Sequence, residues 1–137
     1  MLSNALVGLS ALIIMMLGFA HLIYTFSGSK LLPRDSALQS EMKLVSPVIS
    51  DETTMWKAWV GFNASHSMGA ILFGLIFGYL ALAHPILLFS STFLSVVGFL
   101  MLAGLFTLGQ RYWFSIPFRG IAISLVCYTA GQVIARL

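Results

Sequence analysis

Four long runs of apolar residues, separated by short polar segments, dominate this sequence. Each run is close to the roughly 20 residues that an α-helix needs to cross a hydrocarbon core of about 30 Å. The apolar residues are continuous and do not alternate with polar ones, which favours helices over strands. The pattern predicts an all-α integral membrane four-helix bundle that forms a single transmembrane domain over residues 1–137. Its helices are expected at about residues 2–26, 52–83, 86–109 and 115–136.

The only substantial polar segment runs from Ser27 to Thr54 and connects the first two predicted spans. Within it, Ser36 can cap a short helix with Gln39 as the partner in a capping box, over about residues 36–46. The apolar residues of this helix share one face: Leu38, Met42 and Val45. The spacing predicts an amphipathic helix that lies on the membrane surface or covers one end of the bundle.

Composition supports the membrane prediction and excludes other classes of protein. Of the 137 residues, 59% are hydrophobic and 8% are charged, whereas soluble domains are about a quarter charged. This excludes a water-soluble enzyme. The seven Lys and Arg residues flank apolar segments, which is typical of residues that set membrane orientation and not of a nucleic-acid-binding surface. The single cysteine, Cys127, excludes an intrachain disulfide and any metal site with several cysteines.

The basic residues also predict the orientation of the chain in the membrane. Six of them fall on one side of the predicted spans, and only Arg136 falls on the other. Because cytoplasmic loops are enriched in Lys and Arg, we expect the long loop in the cytoplasm and both termini outside. The six residues on the cytoplasmic side are Lys30, Arg34, Lys43, Lys57, Arg111 and Arg119.

Small residues recur along each predicted span, as they do where membrane helices pack closely. The second span has Ala70, Gly74 and Gly78, and the fourth has Gly120, Ser124, Cys127 and Gly131. These stripes predict close packing within the chain. They are equally suited to docking against a larger membrane complex or a second copy of the chain.

The functional hypotheses are based on three polar side chains within the predicted spans. Polar groups in hydrocarbon are energetically costly, so each is expected to have a hydrogen-bond partner or a functional role. Asn63 and His66 are three residues apart and therefore share a helix face. His21 lies roughly 8 Å inside the end of the first span, and His66 lies roughly 15 Å beyond Trp56 along the second. The spacing allows His21 and His66 to reach a similar depth.

Three interpretations of this cluster stay open. The first is an interhelical hydrogen bond that only holds helices together. The second is a pocket for a small or lipidic ligand, in which His66 and His21 act as acid–base residues and further residues bind the ligand: Asn63, Gly18, Thr25 and Gly69. The third is a b-type haem with His21 and His66 as axial ligands and the two glycines admitting the flat ring. Two histidines with no neighbouring carboxylate or cysteine are a thin metal signature, so no other metal is predicted.

The run from Glu52 to Ser67, with Gly18-Phe19-Ala20-His21 upstream, resembles an uncharacterised family of small bacterial four-transmembrane-helix proteins. The Asn-x-Ser-His motif at 63–66 is the most specific part of this resemblance, and the architecture is loosely similar to DoxX-like membrane proteins. The resemblance implies a four-helix bundle in the bacterial inner membrane and supplies no activity. We therefore expect a membrane protein with a ligand pocket around the cluster, with a non-catalytic accessory subunit and a haem carrier as the alternatives.

Overall fold

The protein is all-helical. A computed structural model describes all residues from Met1 to Leu137 and contains six helices and no strand. The helices are α1 (Leu2–Phe26), α2 (Ser36–Leu44), α3 (Met55–Ala83), α4 (Pro85–Ser90), α5 (Thr92–Tyr112) and α6 (Ser115–Ile134).

Three of these helices, α1, α3 and α5, are long and apolar enough to cross a membrane. This finding indicates a membrane protein. The fourth predicted span corresponds to α6, which is not among the three. It has 20 residues and carries Arg119 in its second turn and Gln132 near its end, and both lower its hydropathy. The all-α prediction is confirmed, and the four-span arrangement stays a prediction.

The helix expected over residues 86–109 is divided in the structure, which corrects that boundary. Pro85 occupies the first turn of α4, where its missing N–H costs nothing. Ser91 then adopts an extended conformation, with φ −85° and ψ 107°, and its Oγ accepts a hydrogen bond from Leu94 N at 3.2 Å. The serine therefore ends one helix and caps the next, and α5 continues to Tyr112.

The capping residue of one helix and the start of another also differ from the prediction. In the long loop, Asp35 and not Ser36 caps α2, because its side chain accepts from Ala37 N at 2.8 Å. Helix α3 begins at Met55 and not near residue 52, since Thr54 Oγ1 accepts from Lys57 N at 3.3 Å. None of the residues of α2 is buried.

Residue contacts divide the chain into two compact units, residues 1–17 with 70–137 and residues 18–69. The first unit contains the hydrophobic core, and small residues bring its helices together. A Cβ added at Gly74 would lie 2.8 Å from the backbone oxygen of Ala11, and one added at Gly131 would lie 2.9 Å from that of Ser3. These glycines therefore allow helix backbones to approach closely. The core consists of Val7, Ala11, Ile14, Ala70, Phe73, Phe77, Leu80, Ala81, Leu88, Leu102, Leu105, Ile121 and Tyr128.

A buried hydrogen bond also links α1 and α6 within the first unit. Ser10 Oγ and Ser124 Oγ lie 2.7 Å apart, and Ser124 Oγ lies 3.1 Å from the backbone oxygen of Ser10. Both serines are completely buried. Ser124 was expected at a packing position, and the structure shows that its hydroxyl also supplies an interhelical hydrogen bond.

Candidate functional site

The second unit brings His21 of α1 against Asn63 of α3. His21 Nε2 lies 2.9 Å from Asn63 Oδ1, and Asn63 Nδ2 donates to the backbone oxygen of Trp59 at 2.8 Å. This second bond fixes which end of the amide is nitrogen, so the carbonyl oxygen faces His21. Because that oxygen can only accept, His21 Nε2 carries the proton and donates it. In a neutral His21 ring, Nδ1 is then the basic nitrogen.

His66 completes the cluster. Its ring centroid lies 5.4 Å from that of His21, with an interplanar angle of 83°, so that the two rings meet edge to face. His21, Asn63 and His66 are all half-buried. The structure therefore brings together the three side chains that spacing and depth selected, on two neighbouring helix segments. That they form a binding site stays a prediction.

Hydroxyl groups one turn away support the backbone around the cluster. Thr25 Oγ1 donates to the backbone oxygen of His21 at 2.8 Å, and Ser67 Oγ donates to that of Asn63 at 2.9 Å. Such bonds to the carbonyl four residues earlier satisfy a hydroxyl in an apolar setting. Thr25, predicted as a ligand-binding residue, thus has its proton engaged and keeps acceptor capacity only.

The two glycines predicted to make room for a ligand have different surroundings. Gly18, three residues before His21, is buried. Gly69, three residues after His66, is half-buried, and a Cβ added there would meet no atom within 4 Å. Space is therefore open on α3 at the position of Gly69.

The cluster does not fit axial ligation of a haem. A bis-histidine haem needs an unprotonated ring nitrogen of each histidine directed at the iron. The two rings meet edge to face with their centroids 5.4 Å apart, which leaves no gap as wide as a porphyrin between them. No group of three or more His, Cys, Asp or Glu residues is placed to hold a metal ion.

Sequence reasoning missed a second polar cluster, which lies in the first unit and consists of Ser95, Gln132 and Arg136. The available signal was the spacing of Gln132 and Arg136, which are four residues apart and therefore adjacent on one helical face. Their approach to Ser95 depends on how α5 and α6 pack, which spacing alone does not give.

Comparison with known proteins adds no relative. No family model, no curated protein and no solved structure matches this chain at a significant level. The resemblance to small four-helix bacterial membrane proteins stays a prediction, and the functional argument rests on the residues themselves.

Proposed function

We propose that this chain is a four-span protein of the bacterial inner membrane in which His21, Asn63 and His66 bind a small polar or lipidic ligand. The packing of α6 along α1 supports the assignment of α6 as the fourth membrane span. A Cβ added at Gly120 would lie 2.9 Å from Leu17 Cδ1, and one added at Gly131 would lie 2.9 Å from the backbone oxygen of Ser3. The two helices thus run side by side for about 16 Å, so α6 follows a helix that is itself apolar enough to cross.

The hydrogen bond between His21 and Asn63, with the His66 ring against it, carries the proposal for a site. Ionisable side chains within membrane-spanning helices carry a large free-energy cost of desolvation, and they mark functional positions. The cluster brings two imidazole rings together, since the ring centroids of His21 and His66 lie 5.4 Å apart. The open space at Gly69 gives a ligand access to that second ring.

The chemistry of the cluster defines the ligand class. Asn63 holds His21 in the tautomer with the proton on Nε2, which makes Nδ1 its basic nitrogen. An imidazole can donate to a carbonyl oxygen or accept from a hydroxyl group near neutral pH. We therefore expect an amphiphile or quinone-like molecule with a carbonyl or hydroxyl group, bound with its polar end at the histidines. Proton exchange between that group and a ring is the acid–base step that the arrangement allows.

Native mass spectrometry of the protein released from gentle detergent tests this proposal. The wild-type chain should retain a non-phospholipid mass that the His66→Ala variant loses. His84→Ala is the matched control, because His84 lies outside the cluster and its Nε2 is 3.0 Å from the hydroxyl of Tyr79. Circular dichroism should show the same helix content in all three proteins.

Other outcomes separate the alternatives. A wild-type chain that carries nothing, or bulk phospholipid only, contradicts the ligand proposal. If the same protein partner is then recovered reproducibly from native membranes, an accessory subunit is the better assignment. A Soret absorption band in the purified wild-type protein would instead show haem and overturn the geometric argument against it.

A further inference from the structure

The second polar cluster, formed by Ser95, Gln132 and Arg136, joins α5 to the end of α6. Arg136 Nη1 donates to the backbone oxygen of Gln132 at 2.6 Å and to its Oε1 at 2.9 Å. Arg136 Nη2 donates to Ser95 Oγ at 2.8 Å, and Ser95 Oγ lies 3.0 Å from Gln132 Oε1. The guanidinium group is therefore held in one place by three neutral acceptors.

No acidic side chain in this unit pairs with the positive charge of Arg136. Residues 1–17 and 70–137 contain no Asp or Glu, and the four acidic residues of the chain all lie between positions 35 and 52. Of the five N–H donors of a guanidinium group, three are used by the contacts described. The remaining two, Nε–H and the second hydrogen of Nη2, lie on the edge that binds two oxygens of an anion.

A second donor group lies buried in the cluster, beside Tyr128. Gln132 is 7% exposed, and its Nε2 is buried. The amide cannot simply be turned over, because Oε1 accepts from Arg136 and a reversed amide would place N–H groups against the guanidinium. What the cluster offers to a ligand is the positive charge of Arg136 and its two remaining N–H donors, and an anion with several oxygens would match both.

An open groove of about 200 Å³ begins at this cluster and runs between α5 and α6. Ser95 and Gln132 belong to both the cluster and the groove wall. The rest of the wall is supplied largely by apolar side chains, which include Val96, Phe99 and Val133. A charged anchor at one end of an apolar groove matches a molecule with an anionic head and a hydrocarbon chain.

We propose that this cluster and groove bind one anionic phospholipid, with its phosphate on Arg136 and part of an acyl chain between α5 and α6. A zwitterionic lipid fits less well, because this unit has no Asp or Glu side chain to pair with a choline or ethanolamine group. The site involves none of the residues of the histidine cluster and does not depend on the proposed function. An anionic lipid there would clamp the end of α6 to α5.

Lipid retention from mixed vesicles tests the proposal. The full chain is reconstituted in equal amounts of palmitoyl-oleoyl phosphatidylglycerol and phosphatidylcholine, extracted in mild detergent and examined by native mass spectrometry. We expect retained phosphatidylglycerol to exceed phosphatidylcholine by about tenfold, equivalent to about 1.4 kcal/mol. Arg136→Gln should bring the ratio close to parity. Arg119→Gln, which removes an arginine from the same helix outside the cluster, should preserve the ratio.

A further variant separates head-group recognition from the groove. Thr129→Trp places a large side chain on the groove wall and should reduce retention of phosphatidylglycerol while the contacts of Arg136 stay intact. Equal retention of the two lipids by wild type, or equal losses in Arg136→Gln and Arg119→Gln, would overturn the proposal. So would retention of added oleate in place of phosphatidylglycerol, which would identify a fatty acid. Helix content by circular dichroism confirms that each variant is folded.

Discussion

Replacing Gly98 by alanine should destabilise the protein, because α5 passes directly over the ring of Tyr128 at this position. A Cβ added at Gly98 would lie 2.6 Å from Tyr128 Cζ and 2.8 Å from Phe77 Cε1, and closer still to the phenol oxygen. The phenol ring cannot move away freely, because its hydroxyl group lies within hydrogen-bond distance of two backbone oxygens. These are the oxygens of Leu94, at 3.3 Å, and Ser95, at 3.1 Å. Tyr128 is also 1% exposed, so the ring is enclosed by neighbouring protein atoms.

The magnitude follows from three contributions. Inserting a methyl group into a packed core costs about 1–3 kcal/mol. Loss of the tyrosine hydrogen bond adds about 1 kcal/mol, and the better helix propensity of alanine returns about 1 kcal/mol. We expect a net loss of about 2 kcal/mol. Gly104→Ala is the matched control in the same helix, because a Cβ there would meet nothing within 4 Å.

Equilibrium unfolding in mixed micelles, followed by circular dichroism, measures this difference. Gly104→Ala should be neutral or stabilising by up to about 1 kcal/mol. In a Tyr128→Ala background the cost of Gly98→Ala should fall by at least about 1 kcal/mol, since contacting residues couple. Equal stabilities of the Gly98→Ala and Gly104→Ala proteins would refute the packing described here.

Three further predictions concern other parts of the chain. Ser124→Ala removes the buried bond to Ser10 and should lower stability by about 0.6 kcal/mol, the average for interhelical hydrogen bonds in membranes; a loss above about 2 kcal/mol would contradict this. Asn63→Leu removes the acceptor of His21, so the protected Nε2–H signal expected in nitrogen NMR of the wild type should be lost; its persistence would show another acceptor. Ser40 is exposed on α2, and Ser40→Cys, with the native cysteine replaced by alanine, should react with an impermeant maleimide from the cytoplasmic side; labelling from outside would reverse the proposed topology.

Sequence patterns predicted the helical class well because the apolar runs are continuous. Helix α1 lies at the predicted residues, since nothing in that run interrupts it. The break at Ser91 was missed because a single serine in an apolar run is equally compatible with a helix interior. Its role as a cap depends on the extended backbone conformation of that one residue. Similarly, Asp35 and not the expected Ser36 caps α2, which depends on the extended conformation of Asp35 and on its side-chain hydrogen bond with Ala37 N.

The candidate site was predictable to the extent that helical spacing determines it. The spacing of three residues placed Asn63 and His66 on one face, and depth arithmetic allowed His21 to reach them. The orientation of the Asn63 amide, and therefore the tautomer of His21, depends on a bond to the backbone of Trp59. No pattern of residue types reveals that bond. The cluster around Arg136 was missed for the same reason, since its contact with Ser95 crosses between helices.

The contribution of the His21–Asn63 hydrogen bond to the free energy of unfolding can be used to distinguish a structural role of this site from a functional one. Interhelical hydrogen bonds in membranes contribute about 0.6 kcal/mol on average and about 1.7 kcal/mol at most. If the cluster were there only for packing, Asn63→Leu would lose a small amount of stability and nothing else, since leucine is well tolerated in lipid. If the cluster binds a ligand, the same substitution frees the His21 ring and removes its fixed tautomer, so ligand retention should fall far more than stability. A large change in retention with a small change in unfolding free energy therefore identifies a site, and the reverse pattern identifies a structural bond.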